Sequence, residues 1–339
     1  MQIVENVSLK HLNTFGVEAR AKYFVQLNSE EEIISFVRNK KVPGHPALIL
    51  NGGSNTLFTG DVDGLVMKIN NLGWEIVDQN AAHIFIKVSA GENWDNFVNY
   101  TIESGFAGLE NLSMIPGNVG AAPIQNIGAY GVEQKNLFHS LEAINIETGK
   151  IKIFDTEDCK FGYRSSIFKT GLKGKYIVLS VSYKLNKKPV FKIEYGAIRT
   201  ELENLGAEQN ITIKSISQAI RNIRSSKLPD PEKIGNAGSF FKNPVISKLE
   251  YLALLENHPN IKAFPDENGK YKIAAGWMID QLGWKGVRRC DAGVCETQAL
   301  VLVNHGRATG REIVSLANEI QQSVKNTFGI MLVPEVNIV

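Results

Sequence analysis

Ser113-Met114-Ile115-Pro116-Gly117-Asn118-Val119-Gly120-Ala121-Ala122-Pro123 runs, one residue later, into Gln125-Asn126-Ile127-Gly128-Ala129-Tyr130-Gly131. From Gly105 to Gly131 six glycines fall in 27 residues, where 30 glycines spread evenly over 339 positions would give two to three. Small residues let a flat or extended ligand lie against the backbone, and Gln125, Asn126 and Tyr130 can hydrogen-bond it. The alternative is a long structural loop. A second glycine run, Asn51-Gly52-Gly53-Ser54-Asn55, ends a buried strand, Ala47 to Leu50. Successive N–H groups there can turn toward an anion, or the run is a bare turn. The dinucleotide fingerprint G-x-G-x-x-G with its following helix is missing, and so is the G-K-[ST] of a phosphate-binding loop. Two such loops on separate strand-containing units favour a diphosphate-bearing cofactor lying between them.

Outward from these loops the pattern mixes strands and helices. Ser29 with Glu32 forms a capping box ahead of Ile33, Ile34, Phe36 and Val37. Strands are expected at Gly64–Ile69, His83–Val88, Leu141–Asn145, Lys150–Phe154 and Lys175–Leu185. A helix from about Asn93 buries Trp94, Phe97, Val98 and Ile102, and Gly105 stops it. Another runs from Ser215 to Arg224 into Lys227-Leu228-Pro229-Asp230-Pro231, where two prolines mark a boundary near residue 228. Beyond it, helices are expected at Lys248–Asn257, Ala274–Leu282 and from Thr309 (boxed with Glu312) to Gly329. The stripe Ile313, Leu316, Ala317, Ile320 and Val324 has the helical period of core packing.

Composition narrows the class. Lys+Arg less Asp+Glu is 37 − 35 = +2, so no charge excess points to nucleic acid or an anionic membrane. No apolar run reaches the ~18 residues of a membrane helix, and the first residues lack the blocks of a signal peptide. Three cysteines (Cys159, Cys290, Cys295) are few and odd in number, which favours a reducing compartment. A cytoplasmic location is expected. Cys290 and Cys295 stand as C-x₄-C without a second pair or a histidine cluster, so no metal site is expected.

The ordered set of motifs resembles the UDP-N-acetylenolpyruvoylglucosamine reductase family of bacterial peptidoglycan (cell wall) precursor synthesis. To the two glycine runs are added Asn13-Thr14-Phe15-Gly16, Tyr163-Arg164-Ser165-Ser166-Ile167-Phe168, Gly235-Asn236-Ala237-Gly238-Ser239-Phe240-Phe241-Lys242-Asn243-Pro244 and Pro334-Glu335-Val336. They stand in family order and span nearly the whole chain. The resemblance implies an α+β fold: a vanillyl-alcohol-oxidase/PCMH-type FAD-binding domain of two α+β subdomains (1–70 and 71–228) and a C-terminal α+β substrate-binding domain (229–330). Residues 331–339 would be a tail carrying Glu335 back to the active site.

The same resemblance implies the chemistry. NADPH reduces noncovalently bound FAD, which passes hydride to the enolpyruvyl CH₂ of UDP-N-acetylglucosamine enolpyruvate, giving the lactyl group of UDP-N-acetylmuramate. Hydride addition leaves electron density beside the carboxylate, which calls for donors at that carboxylate and a proton source at the developing carbanion. Arg164 would pair with the carboxylate, Glu335 would help stabilise the intermediate, and Ser239 would donate the proton. The FAD contacts expected are Asn51, Gly52, Gly53, Ser54, Asn55, Ser113, Pro116, Gly117, Gly120, Ala121, Gln125, Asn126, Gly128, Ala129 and Tyr130. Substrate contacts are expected from Tyr163, Lys227, Asn243 and Gln298, and from Tyr195, which resembles the tyrosine loop of one subgroup. Asn337 departs from the family pattern, since many relatives carry arginine there. A monomer is expected, with no nucleic-acid or membrane partner. Two rivals stand beside this reading. Another FAD enzyme of the same fold would have no reason to keep the segment around Ser239, and a non-catalytic nucleotide-sugar binder would not need Arg164, Ser239 and Glu335 together.

Overall fold

A computed structural model describes residues 2–39, 46–266 and 269–339. The chain makes two compact units, and neither is continuous in sequence. The first comprises Met1–Val7, Ala21–Gly52 and Val62–Ser226; the second comprises Ser8–Arg20, Gly53–Asp61 and Lys227–Val339. Two short N-terminal segments pack with the C-terminal third, and the last passage from the first unit to the second falls between Ser226 and Lys227.

The first unit holds two sheets. A four-stranded sheet has the order Val4–Ser8, Arg20–Leu27, Val62–Ile69, Pro46–Leu50. Val62–Ile69 pairs in parallel with Arg20–Leu27 on one side and Pro46–Leu50 on the other. The helix Glu30–Asn39 supplies the crossover that parallel pairing demands, burying Ile33, Phe36 and Val37. The second sheet is antiparallel, in the order Ile151–Phe154, Phe138–Asn145, Tyr176–Asn186, His83–Ser89, Trp74–Gln79. Its partner helix, Trp94–Glu103, starts as the sequence predicts: the Asn93 side chain accepts the Asn96 N–H, and Gly105 at φ +77° follows its end. Val25, Leu65 and Met67 of one sheet share a continuous core with Ile86, Val181 and Tyr183 of the other and with Phe97 of the helix. A smaller cluster joins the helices Gly196–Asn204 and Ile213–Lys227 through Ile198, Leu202, Ile216 and Ile220.

In the second unit the antiparallel strands Gly235–Ser239, Val301–Asn304, Ala292–Val294 and Arg288–Arg289 form one sheet in that order. The helix Gly310–Phe328 is closed by the Thr309–Glu312 capping box and by Gly329 at φ +70°, and it buries the stripe read from sequence. Phe15 and Val17, from the N-terminal segment 8–20, enter this core beside Phe240, Phe241 and Leu316. Asn304 Nδ2 donates to the Phe15 carbonyl at 2.9 Å, fixing that segment from the far end of the sequence. The strand Thr56–Leu57 pairs in parallel with Asn337–Ile338.

Candidate active site

Gly52, the last residue of its segment of the first unit, meets the second glycine run there. A Cβ added to Gly52 would lie 2.7 Å from the Gly117 Cα and 2.6 Å from Asn118 Oδ1, so only glycine allows this approach. The second run is stitched to the turn before the helix Trp94–Glu103: Trp94 N donates to the Gly117 carbonyl at 3.0 Å, Val119 N to Glu92 at 2.9 Å and Gly120 N to Ala90 at 2.9 Å. Gly120 is a packing glycine, since a Cβ there would sit 2.5 Å from that of Ala90. With those carbonyls engaged, the N–H groups of Gly52 and Gly117 still have no partner among the described residues. Asn51 Oδ1 is buried and also lacks one. A buried acceptor without a partner is rare in folded proteins, and here the N–H groups of partly exposed glycines are free on the two runs, which together point to a polar ligand.

Beyond Gly120 the loop changes character. Seven non-glycine residues among those described have left-handed backbone, and Met114, Asn126, Tyr130 and Arg164 are four of them. Such conformations cost about 1–3 kcal/mol each and collect where the surroundings enforce them. Arg164, at φ +50°, donates through Nη2 to the Gly128 carbonyl and through Nη1 to the Asn126 carbonyl at 3.5 Å. Its guanidinium carbon lies 5.4 Å from the centre of the Tyr163 ring. Arg164, Tyr163, Gly128 and Asn126 therefore come together.

Two residues expected to touch cofactor turn their side chains inward. Asn126 is fully buried: Nδ2 donates to Glu133 Oε2 at 3.0 Å and to the Gly162 carbonyl at 3.1 Å. Its Oδ1 accepts from Gln134 Nε2 at 3.4 Å and Lys135 N at 3.3 Å, so no side-chain donor is left over. Ser113, also fully buried, donates to the Glu110 carbonyl at 2.7 Å and lies 2.8 Å from Ser217 Oγ. Pro116 is exposed, whereas Ala121, Gln125 and Ala129 are half-buried.

Tyr130 and Tyr195 meet edge to face at 5.4 Å, and the Tyr195 ring is exposed. Arg224, from the helix Ile213–Lys227, hydrogen-bonds the Tyr130 hydroxyl; burial raises the phenol and lowers the guanidinium. Arg224 carries no motif signal in the sequence, because it sits in an ordinary amphipathic helix. Lys68 also carries no motif signal: it stands in an apolar strand, yet its Nζ donates to the Asn51 carbonyl at 2.5 Å.

The second unit gathers the other candidates. Ser239 is exposed at the end of its strand. The next residue, Phe240, is buried and accepts the Glu335 N–H on its carbonyl at 2.8 Å, while Lys242 N donates to Val333 at 2.9 Å. The segment bearing Glu335 thus runs antiparallel beside the chain leaving Ser239. Asn55 holds the tail from the other side: its Nδ2 donates to the Glu335 carbonyl at 3.3 Å, and its own carbonyl accepts both Asn337 N and Nδ2 at 3.0 Å. Asn337 therefore has a structural partner within the tail's setting. Asn243 Oδ1 accepts the Ala275 N–H at 3.0 Å, at the start of the helix Ala275–Gln281. Gln298 lies against the same turn, its Oε1 3.3 Å from where a Gly276 Cβ would stand. The Lys227 carbonyl accepts Thr297 Oγ1 at 2.8 Å, next to Gln298. Among the described residues no group of three or more His, Cys, Asp or Glu is placed to hold a metal ion, and no helix is long and apolar enough to cross a membrane.

Comparison with known proteins gives these arrangements a family. Residues 21–155 match the FAD binding domain family, and residues 230–339 match the C-terminal domain of UDP-N-acetylenolpyruvoylglucosamine reductase. The unpaired Gly52 and Gly117 donors and the unpaired Asn51 acceptor fit FAD, whose diphosphate accepts and whose hydroxyls donate. A solved UDP-N-acetylenolpyruvylglucosamine reductase from Thermus caldophilus shares the fold, with a TM-score of 0.68 over 100% of this chain and 99% of that chain at 24% identity. The UDP-N-acetylenolpyruvoylglucosamine reductase of Amoebophilus asiaticus is 48% identical over 339 residues, covering 100% of both chains. That of Flavobacterium johnsoniae is 47% identical over 343 residues, again covering 100% of both. With such identity along its entire length, the chain belongs to the UDP-N-acetylenolpyruvoylglucosamine reductase family.

Proposed function

We propose that this protein reduces the enolpyruvyl group of UDP-N-acetylglucosamine enolpyruvate to the lactyl group of UDP-N-acetylmuramate, using NADPH. FAD, when bound, supplies the hydride that converts the enolpyruvyl CH₂ to CH₃. The protein's own residues then handle the adjacent carbon. The electron pair left there delocalises into the carboxylate, and the planar Arg164 guanidinium matches two carboxylate oxygens. Asn126 and Gly128 carbonyls already orient that guanidinium. Glu335 assists at the same intermediate, and Ser239 gives its hydroxyl proton to the carbanion and regains one from solvent.

The observation that supports this reading is the backbone bond from Glu335 N to the Phe240 carbonyl, which sets the Glu335 backbone alongside the residue that follows Ser239. Tyr163, Tyr195, Lys227, Asn243 and Gln298 are assigned to the nucleotide sugar. Asn243 supports this because its Oδ1 is committed to Ala275 while its Nδ2 has no partner among the described residues. Residues 1–228 serve FAD and lend Tyr163, Arg164, Tyr195 and Lys227 to the substrate, residues 229–330 supply its other contacts, and the protein is a cytoplasmic monomer.

Stopped-flow separation of the two half-reactions tests the assignment. Ser239→Ala should leave flavin reduction by NADPH near normal and abolish reoxidation by the enolpyruvyl substrate. Equal loss in both would overturn the role of Ser239.

A further inference from the structure

Every strand residue from Leu65 to Ile69 is buried except Lys68, which is half-buried. The register sets Lys68 beside Leu50, at the carboxyl end of the parallel strand Pro46–Leu50, where ligands of parallel sheets bind. There its Nζ donates to the Asn51 carbonyl. Burial lowers the affinity of this ammonium for its proton, and no neighbouring carboxylate opposes that effect. A partly buried cation with one neutral partner is under-compensated, and such charges need an anion nearby.

The Asn51 carbonyl belongs to the same peptide plane as the Gly52 N–H. A trans peptide points its carbonyl and its N–H in opposite directions, so an ammonium gripping one end fixes where the other end aims. The Gly52 N–H is the end with no partner among the described residues, and Gly52 itself packs against Gly117. Polarising the carbonyl also makes the N–H a stronger donor.

We infer that Lys68 is a positioning residue for the FAD diphosphate: it holds the Asn51–Gly52 peptide with the Gly52 N–H toward the phosphates and places a positive charge behind that donor. The inference rests on the assignment of the two glycine runs to FAD. Gly52→Ala separates the two ideas. If it binds FAD normally, the loop assignment fails; if it loses FAD while Lys68→Gln does not, only the role of Lys68 fails.

Deflavinated full-length protein is titrated with FAD and with riboflavin, following flavin fluorescence at low and high salt. Lys68→Gln should raise the Kd for FAD about tenfold, as expected for losing a charge-assisted interaction, and should flatten its salt dependence. Lys68→Arg should stay within about threefold of the parent protein. Riboflavin, which lacks phosphate, should bind all three alike. FAD affinity unchanged in Lys68→Gln, or equal losses for FAD and riboflavin, would overturn the inference. Should that variant not fold, reductive methylation of the parent protein read by peptide mass spectrometry decides: FAD should protect Lys68, and equal labelling with and without FAD refutes it.

Discussion

Asn126 Nδ2 donates to the Gly162 carbonyl at 3.1 Å, joining the glycine-rich loop to the turn that carries Arg164. The same amide holds Glu133, and the Asn126 carbonyl accepts from Arg164 itself. One buried side chain thus fixes both the arginine and the loop that arginine binds. Asn126→Ala would leave Glu133 and Gly162 without these donors, and alanine tolerates the φ of +48° less well than asparagine. The oxidative half-reaction should slow about a hundredfold, the scale of losses from small misplacements of reacting groups. Flavin reduction by NADPH should persist. If stopped flow shows both half-reactions falling equally, Asn126 does not act through Arg164.

Gly52→Ala should yield protein depleted of flavin. Its Cβ would collide with backbone of Gly117, which cannot move without disturbing the bond from Trp94 to the Gly117 carbonyl. Overpacking of this kind costs about 1–3 kcal/mol, which corresponds to a loss in FAD affinity of about tenfold or more. The ratio of flavin to protein absorbance after purification measures it, and a ratio equal to that of the parent protein would contradict the assignment.

Glu110 offers a pH signature. It is 2% exposed, accepts the Gly108 N–H at 2.6 Å, and burial raises its carboxyl above the ordinary 4.5. A raised folded-state value means the folded protein holds the proton more tightly than the unfolded chain does. The stability this provides is full below the unfolded value of 4.5 and is lost as pH rises through the folded one. Glu110→Gln keeps an acceptor but cannot ionise. Its melting temperature relative to the parent protein should therefore rise between about pH 4 and pH 7. A difference that is flat or falls with pH would show that the carboxylate is not strained by burial.

Much of this was legible in the sequence where local chemistry decides structure. The Thr309–Glu312 box, the helix-ending Gly105 and Gly329, and the stripe from Ile313 to Val324 each carry their own signal, and each element formed as read. The glycine runs announced close backbone approach, which Gly52 and Gly117 display. The strand Trp74–Gln79 gave no such signal, because all six of its residues are exposed and no alternation marks a buried face. Direction was equally silent: Asn126 and Ser113 stand in the glycine-rich segment, yet burial turns both side chains into the protein. Lys68 and Arg224 act through neighbours brought by the fold, and no spacing in the sequence records that.

The pairing of Thr56–Leu57 with Asn337–Ile338 sets an order of events during synthesis. Residues 8–20 and 53–61 leave the ribosome early, but their partners in the second unit start at residue 227 and extend to the closing strand some 280 positions later. These segments bond to each other early in the sequence, as Thr14 N does to the Gly53 carbonyl, but the contacts with residues 227–339 close some of the longest loops in the chain. Phe15 and Val17, buried beside Phe240 and Leu316, thus gain their core only when the C-terminal part of the second unit is present.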